Sequence, residues 1–334
     1  MMPPTTLAGV TTPSPKSPSS HSITLTLAAS TPVLFARVLS CFLLLSASLV
    51  AAACPANGPV TSDISDATGC ADLQFLVAAD NVSIEIEAAT GTINITSNFA
   101  GTTLRLIACV VNGNITLRGS HSVIDVRRST VAGTDVFSLG GARNSTITVA
   151  DSTLTGVVVA SVLADAVAGV SLTVTNSTLT ATRYAASIVG TWISDVAIVV
   201  SGCRFALNGG DNVGVVALSS SALANAAVFI SASSIACKAR SYVGLVGASR
   251  DRITWTNVTI SASVLNITIS AEYYAATLGT ASSRDATWTN VSINVTSTDV
   301  SANGANLAIF GCIAENVAWT NVTVSVALAL LLST

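Results

Sequence analysis

Three of the chain's four tryptophans stand in front of one recurring phrase: WTNVTI at Trp255–Ile260, WTNVSI at Trp288–Ile293 and WTNVTV at Trp319–Val324. A recurrence of about thirty residues constrains the fold more than any single motif, because a unit of that size cannot bury a core alone and must stack on its neighbours. The periodicity extends well upstream. ITVADSTL, LTVTNSTL, IVVSGCRF, VFISASSI and VTISASVL begin at Ile147, Leu172, Ile198, Val228 and Val258, and VSINV from Val291 and VTVSV from Val322 continue the series. Each alternates apolar and polar residues with period two, so each is a strand with one face inward. Between them, Leu139-Gly140, Val189-Gly190, Val246-Gly247, Leu278-Gly279 and Phe310-Gly311 are each followed by Asn144, Asp195, Asp251, Asp285 or Asn316. Glycine supplies backbone conformations other residues resist, and Asx side chains bond neighbouring backbone, so each pair marks a corner.

No helical stretch of convincing length separates the strands. The expected fold is therefore all-β: a parallel, right-handed β-helix whose coils hydrogen-bond to one another at about 4.8 Å. A Greek-key sandwich is the competing arrangement, but it leaves the recurring columns accidental. Short strands at Val82–Glu87, Thr92–Thr96, Thr103–Cys109, Asn114–Leu117 and Ser122–Val126 carry the pattern toward the N-terminus with less regular spacing. The expected organisation is a Pro/Ser/Thr-rich leader over 1–36, an apolar signal or signal-anchor helix over 37–53, an N-terminal cap over 54–80 and the repeat domain over 81–334, with a truncated last coil as one reading of its end.

Half the residues are hydrophobic and only 9% are charged, for a net charge of −3. That balance argues against a nucleic-acid partner held by phosphate neutralisation. No acidic residue precedes Asp63, and Arg37 introduces VLSCFLLLSASLVAAAC, ending in Ala51, Ala52 and Ala53. A basic flank, an apolar run and a small-residue exit read as a secretory signal. Left uncleaved, the same run anchors the chain in a membrane. Export agrees with ten Asn-x-Ser/Thr sequons, at Asn81, Asn94, Asn114, Asn144, Asn176, Asn257, Asn266, Asn290, Asn294 and Asn321, which are candidate N-glycosylation sites. Outside the signal, the six cysteines allow fifteen pairings, of which Cys54 with Cys70 is preferred because it closes a small loop.

Strict alternation around Val258 and Ile260 turns Trp255 outward, and likewise Trp288 and Trp319, which gives an aromatic surface strip beside three sequons. Such a strip either stiffens the stack or offers a face for a glycan or protein ligand. A corner at this point would spoil the parity. The carboxylates fall singly, His121 is the sole histidine after the signal, and no metal, phosphate-loop or nucleophile-elbow motif is present, so no catalytic residue, cofactor or metal ligand is assigned. In repeat style the region from about residue 80 to 326 resembles repetitive membrane-associated surface proteins of free-living flagellate protists and, more distantly, the pectin-lyase-like β-helix superfamily. That resemblance implies a cell-surface location and transfers no activity. The expectation is a secreted or surface glycoprotein with a structural, adhesive or coat role; a polysaccharide lyase or glycoside hydrolase on the same scaffold is the alternative.

Overall fold

The computed structural model describes residues 54–331 apart from 211, 241, 250–251, 272–273, 277–280, 304–305 and 309–311. The leader, the 37–53 segment and the corner residues Asp251, Gly279 and Gly311 lie outside the described residues. From Gly58 onward the chain forms strands joined by tight corners, and all strand pairings among the described residues are parallel. Ile147 pairs with Leu172, Leu172 with Ile198, and Ile198 with Val228. Parallel neighbours from successive turns make a solenoid of β-helix type and exclude the antiparallel sandwich. One register differs from the sequence alignment: Val228 meets Ile260 rather than Val258. A slip of two residues preserves which face is buried, so the interior is unaffected.

Two columns of left-handed corners set the path. The first contains Asn81, Gly101, His121, Asn144, Gly169, Asp195, Asn225, Asn257, Asn290 and Asn321, all at positive φ. Asn, Asp and Gly dominate because they enter this region at least steric cost. The second contains Gly69, Ala88, Ala108, Arg128, Asp151, Asn176 and Gly202, and then stops. Gly202 has no counterpart in the next coil, where the register shifts between Ser201 and Cys203. Without that corner two strands fuse, and Ala222–Ala239 becomes one strand of 18 residues that turns only at Asn225.

Successive first-corner residues lie 20, 20, 23, 25, 26, 30, 32, 33 and 31 positions apart, so the coils lengthen toward the C-terminus. The N-terminal coils, expected to be less regular, are the most regular. The expected cap is also coil: Gly58–Val60 pairs with Phe75–Val77, and Ile64–Thr68 with Ile84–Glu87, so the boundary at residue 80 falls inside the stack.

Inward positions form one continuous apolar core from Val60 to Val300. Beside the second corner the interior narrows to a column of small residues: Cys70, Ala89, Cys109, Ser129, Ser152, Ser177 and Cys203 are all buried. The serines remain compatible with burial because each hydroxyl is bonded. Ser129 Oγ accepts from the Cys109 amide at 3.0 Å, Ser152 Oγ from Ser129 at 3.1 Å, and Ser177 Oγ from Ser152 at 3.1 Å.

Candidate functional surface

The repeated Trp phrase resolves at the first corner. Asn257, Asn290 and Asn321 have φ of 54°, 54° and 52°, and a left-handed residue uses up one step of the alternation. Trp255 and Val258 therefore both point inward, and the expected surface strip is not there. Trp255 is 2% exposed and Trp288 0%; Trp319, in the last described coil, is 51% exposed. Their rings stack with centroids 4.8 Å apart between Trp255 and Trp288 and 5.5 Å between Trp288 and Trp319, nearly parallel at 7° and 11°. Upstream the same column holds Leu223, Ile193, Val167 and Ala142. Side-chain volume thus falls as the coils shorten, and tryptophan stands where the interior is widest. This is close packing at work: a wider coil leaves space that a small side chain cannot fill.

The asparagines beside the tryptophans form an external ladder. Asn225 Nδ2 donates to Asp195 Oδ1 at 3.0 Å, and Asn257, Asn290 and Asn321 each donate to the Oδ1 below at 3.1 Å. Asp195 starts the ladder as a pure acceptor. Five of the ten sequons, at Asn81, Asn144, Asn257, Asn290 and Asn321, occupy this corner column, and Asn176 occupies the second. Their Asn-x-Ser/Thr spelling has a structural origin in part: the corner takes Asn, the next residue points inward, and the third is an outward strand position suited to Thr or Ser. Asn94 and Asn114 accept backbone N–H groups from the coil above through Oδ1. Asn266 and Asn294 sit exposed in strands.

Several of the charged groups bond from rung to rung. Asp63, Asp72 and Asp80 accept the amides of Ser83, Thr92 and Ala100 at 2.8, 2.8 and 2.9 Å. Asp125 pairs with Arg127 at 3.0 Å and with Arg105 at 3.6 Å, and Arg105 reaches Glu85 at 3.4 Å. His121 is a corner residue at φ 58° whose ring nitrogens lie 3.2 Å from Ser120 Oγ and 3.4 Å from Asn144 Nδ2. Among the described residues no three His, Cys, Asp or Glu side chains converge. Cys54 and Cys70 form the expected disulfide, with Cα atoms 5.6 Å apart. Cys109, Cys203 and Cys237 are buried thiols outside it. Burial pushes the first two above the ordinary thiol range and Cys237 up to about 12.

One cleft opens where the coils begin to lengthen. It has a volume of about 690 Å³ and is lined by Asn114, Thr116, Thr134, Asp135 and Ser138, with Arg118 and Leu163 flanking Gly140. Gly140 makes the gap: a Cβ there would come within 3.0 Å of the Arg118 side chain. Arg118 and Asp135 form no ion pair among the described residues. Neither Arg118 nor the cleft stands out in the sequence, where Leu139-Gly140 reads only as a corner. The signal that was available is the Gly140-Gly141 doublet on an outward column, which removes two side chains at once. No protein-family model matches the chain, and comparison with curated proteins and with solved structures found no significant similarity.

Proposed function

We propose that the chain is a non-enzymatic, exported surface glycoprotein, membrane-associated through its N-terminal apolar segment, in which the solenoid has a structural, adhesive or coat role. What carries this reading is the use of its charges. Asp63, Asp72, Asp80, Asp125, Asp195 and Asp285 each bond to a neighbouring coil, so these carboxylates build the stack. The Cys54–Cys70 disulfide supports an oxidising compartment, outside the cell or on its surface. Right-handed winding follows from the strong preference of parallel crossovers for that hand, and the pectin-lyase-like resemblance rests on that winding and the repeat style alone. The cleft beside Gly140 is the place for a glycan or protein ligand, with unpaired Arg118 and Asp135 to fix its orientation.

Expression in secreting eukaryotic cells tests the reading. The expected result is a membrane-associated or secreted product whose mobility increases on glycosidase treatment; an unglycosylated cytosolic product contradicts it. The enzymatic alternative draws on the same cleft and is tested by reducing-end release from a panel of polysaccharides. Turnover that disappears in Asp135→Asn would favour it over the structural role.

A further inference from the structure

The fourth tryptophan departs from the other three. Trp255, Trp288 and Trp319 belong to the inward column, whereas Trp192 stands one position before the buried Ile193 and is 66% exposed, more than any other large hydrophobic side chain among the described residues. Its register partners are Ala166 in the coil below and Ala222 in the coil above. One coil further down, Arg143 pairs with Ala168 in parallel, which brings Gly141 level with Ala166. Gly141, Ala166 and Trp192 therefore form one outward column in which two small, exposed residues precede the indole.

That column starts in the cleft. Gly140, Gly141 and Leu163 line the cleft, and Gly141 and Trp192 are two coils apart, a rise of about 10 Å along the stack. The combined surface offers two kinds of contact. Leu163, 61% exposed, and Trp192 supply apolar area. Asn114, Thr116, Thr134 and Ser138 supply amide and hydroxyl groups, and Arg118 and Asp135 add one charge of each sign that no ion pair among the described residues takes up.

We propose that the cleft and Trp192 are one binding surface, and that its ligand is an uncharged oligosaccharide chain; this rests on reading the cleft as a ligand site. A pyranose ring turns aliphatic C–H groups of slight positive charge toward one face, which suits the negative face of an indole. Around its edge it carries hydroxyls, which both donate and accept, and a carboxylate and a guanidinium meet them with charge-assisted bonds. One ring packs on Trp192 while its neighbours in the chain lay their hydroxyls across Arg118, Asp135 and the amide and hydroxyl groups of the cleft. A polyanion gains at Arg118 what it loses at Asp135, so charge does not select for it. A folded protein partner is disfavoured because two large apolar side chains fall far short of the roughly 800 Å² per partner that a standard interface buries.

The test uses the full 334-residue chain and isothermal titration calorimetry with cellohexaose, xylohexaose and mannohexaose as uncharged probes and hexagalacturonate as a charged one. Saturable binding of at least one uncharged hexaose is expected. Trp192 is at the surface, so Trp192→Ala should leave circular dichroism unaltered and weaken binding by about tenfold or more. Trp192→Phe, which keeps an aromatic face, should stay within about threefold of the unaltered chain, and Asp135→Asn should lose about fivefold. Leu265→Ala, at an exposed apolar residue outside this surface, should change nothing. Failure of all three uncharged hexaoses to bind, tighter binding of hexagalacturonate than of any of them, or an affinity that neither Trp192→Ala nor Asp135→Asn alters overturns the proposal. An exported, glycosylated chain that ignores these sugars removes this inference and leaves the surface role standing; a cytosolic, unglycosylated chain that binds one of them through Trp192 does the reverse.

Discussion

The coils around Val82–Ala132 and those beyond Trp192 solve the same stacking problem with different parts. In the first region a turn takes 20 residues, two left-handed corners bend it, and its tightest points are filled by backbone and small residues. Gly113 shows the limit: a Cβ there would lie 1.8 Å from the Ile93 carbonyl oxygen. In the second region a turn takes 30 to 33 residues, the second corner has gone, strands run for 17 to 23 residues, and tryptophans fill the middle. The contrast teaches that coil circumference sets side-chain size. Narrow coils are limited by clash and wide coils by cavity, so mutations that enlarge should hurt the first and mutations that shrink should hurt the second.

The largest expected effect is in the wide region. Trp288→Ala removes a fully buried ring sandwiched between two others and should cost about 3–5 kcal/mol in urea unfolding, with loss of the tryptophan exciton signal in circular dichroism. If the cost were below about 1 kcal/mol, the wide coils would not depend on volume. Next comes the narrow region, where Gly113→Ala adds one methyl against a carbonyl that cannot yield, at a φ of 155°. A loss of about 2–4 kcal/mol is expected from strain and clash.

The ladder in the wide region ranks third. Asn290→Ala forfeits two amide bonds and places alanine in a left-handed corner, for a loss of about 1–3 kcal/mol. Asn290→Gly should recover the conformational part alone. Equal losses for alanine and glycine would mean that the ladder, and not the corner, fixes the turn.

Alkaline pH sharpens the comparison through Cys237. Its folded thiol titrates near 12 because it is buried, whereas the exposed thiol of the unfolded chain titrates near 9. The unfolded state then binds fewer protons, so stability should be flat below about pH 9 and fall between about 9 and 12, by at most about 1.4 kcal/mol per pH unit for this group. Cys237→Ala should flatten that slope in pH-dependent unfolding. The smallest effect is a contrast with Gly113: nothing lies within 4 Å of a Cβ built at Gly210, so Gly210→Ala should be neutral or raise stability by about 0.4–1 kcal/mol.

Much of this architecture was legible in the chain itself. Period-two alternation marked the strands at Ile147, Leu172, Ile198 and Val228, and their parallel pairing follows the recurrence of one column. The preference for Cys54 with Cys70 rested on loop size and agrees with the disulfide. What escaped was the corner inside the phrase. Alternation counts residues and is blind to φ, so it makes Asn257 one more strand position and turns Trp255 to the wrong side. The N-terminal regularity escaped for a related reason: its corner column mixes Asn81, Gly101 and His121, three residues that share a backbone conformation and no chemistry. The cleft leaves one trace in the sequence, the Gly140-Gly141 doublet, while its depth depends on neighbouring coils of different length that no local pattern reveals.

The most direct measurement is the distance between spin labels along one outward column. Glu85, Thr173, Phe229 and Asn294 occupy that column at increasing numbers of coils. At about 4.8 Å per coil, labels at Glu85→Cys paired in turn with Thr173→Cys, Phe229→Cys and Asn294→Cys should lie about 19, 29 and 38 Å apart. Distances that grow with coil count in this proportion are the predicted result. A series that fails to increase, or that brings Glu85 closer to Asn294 than to Thr173, would contradict a parallel stack.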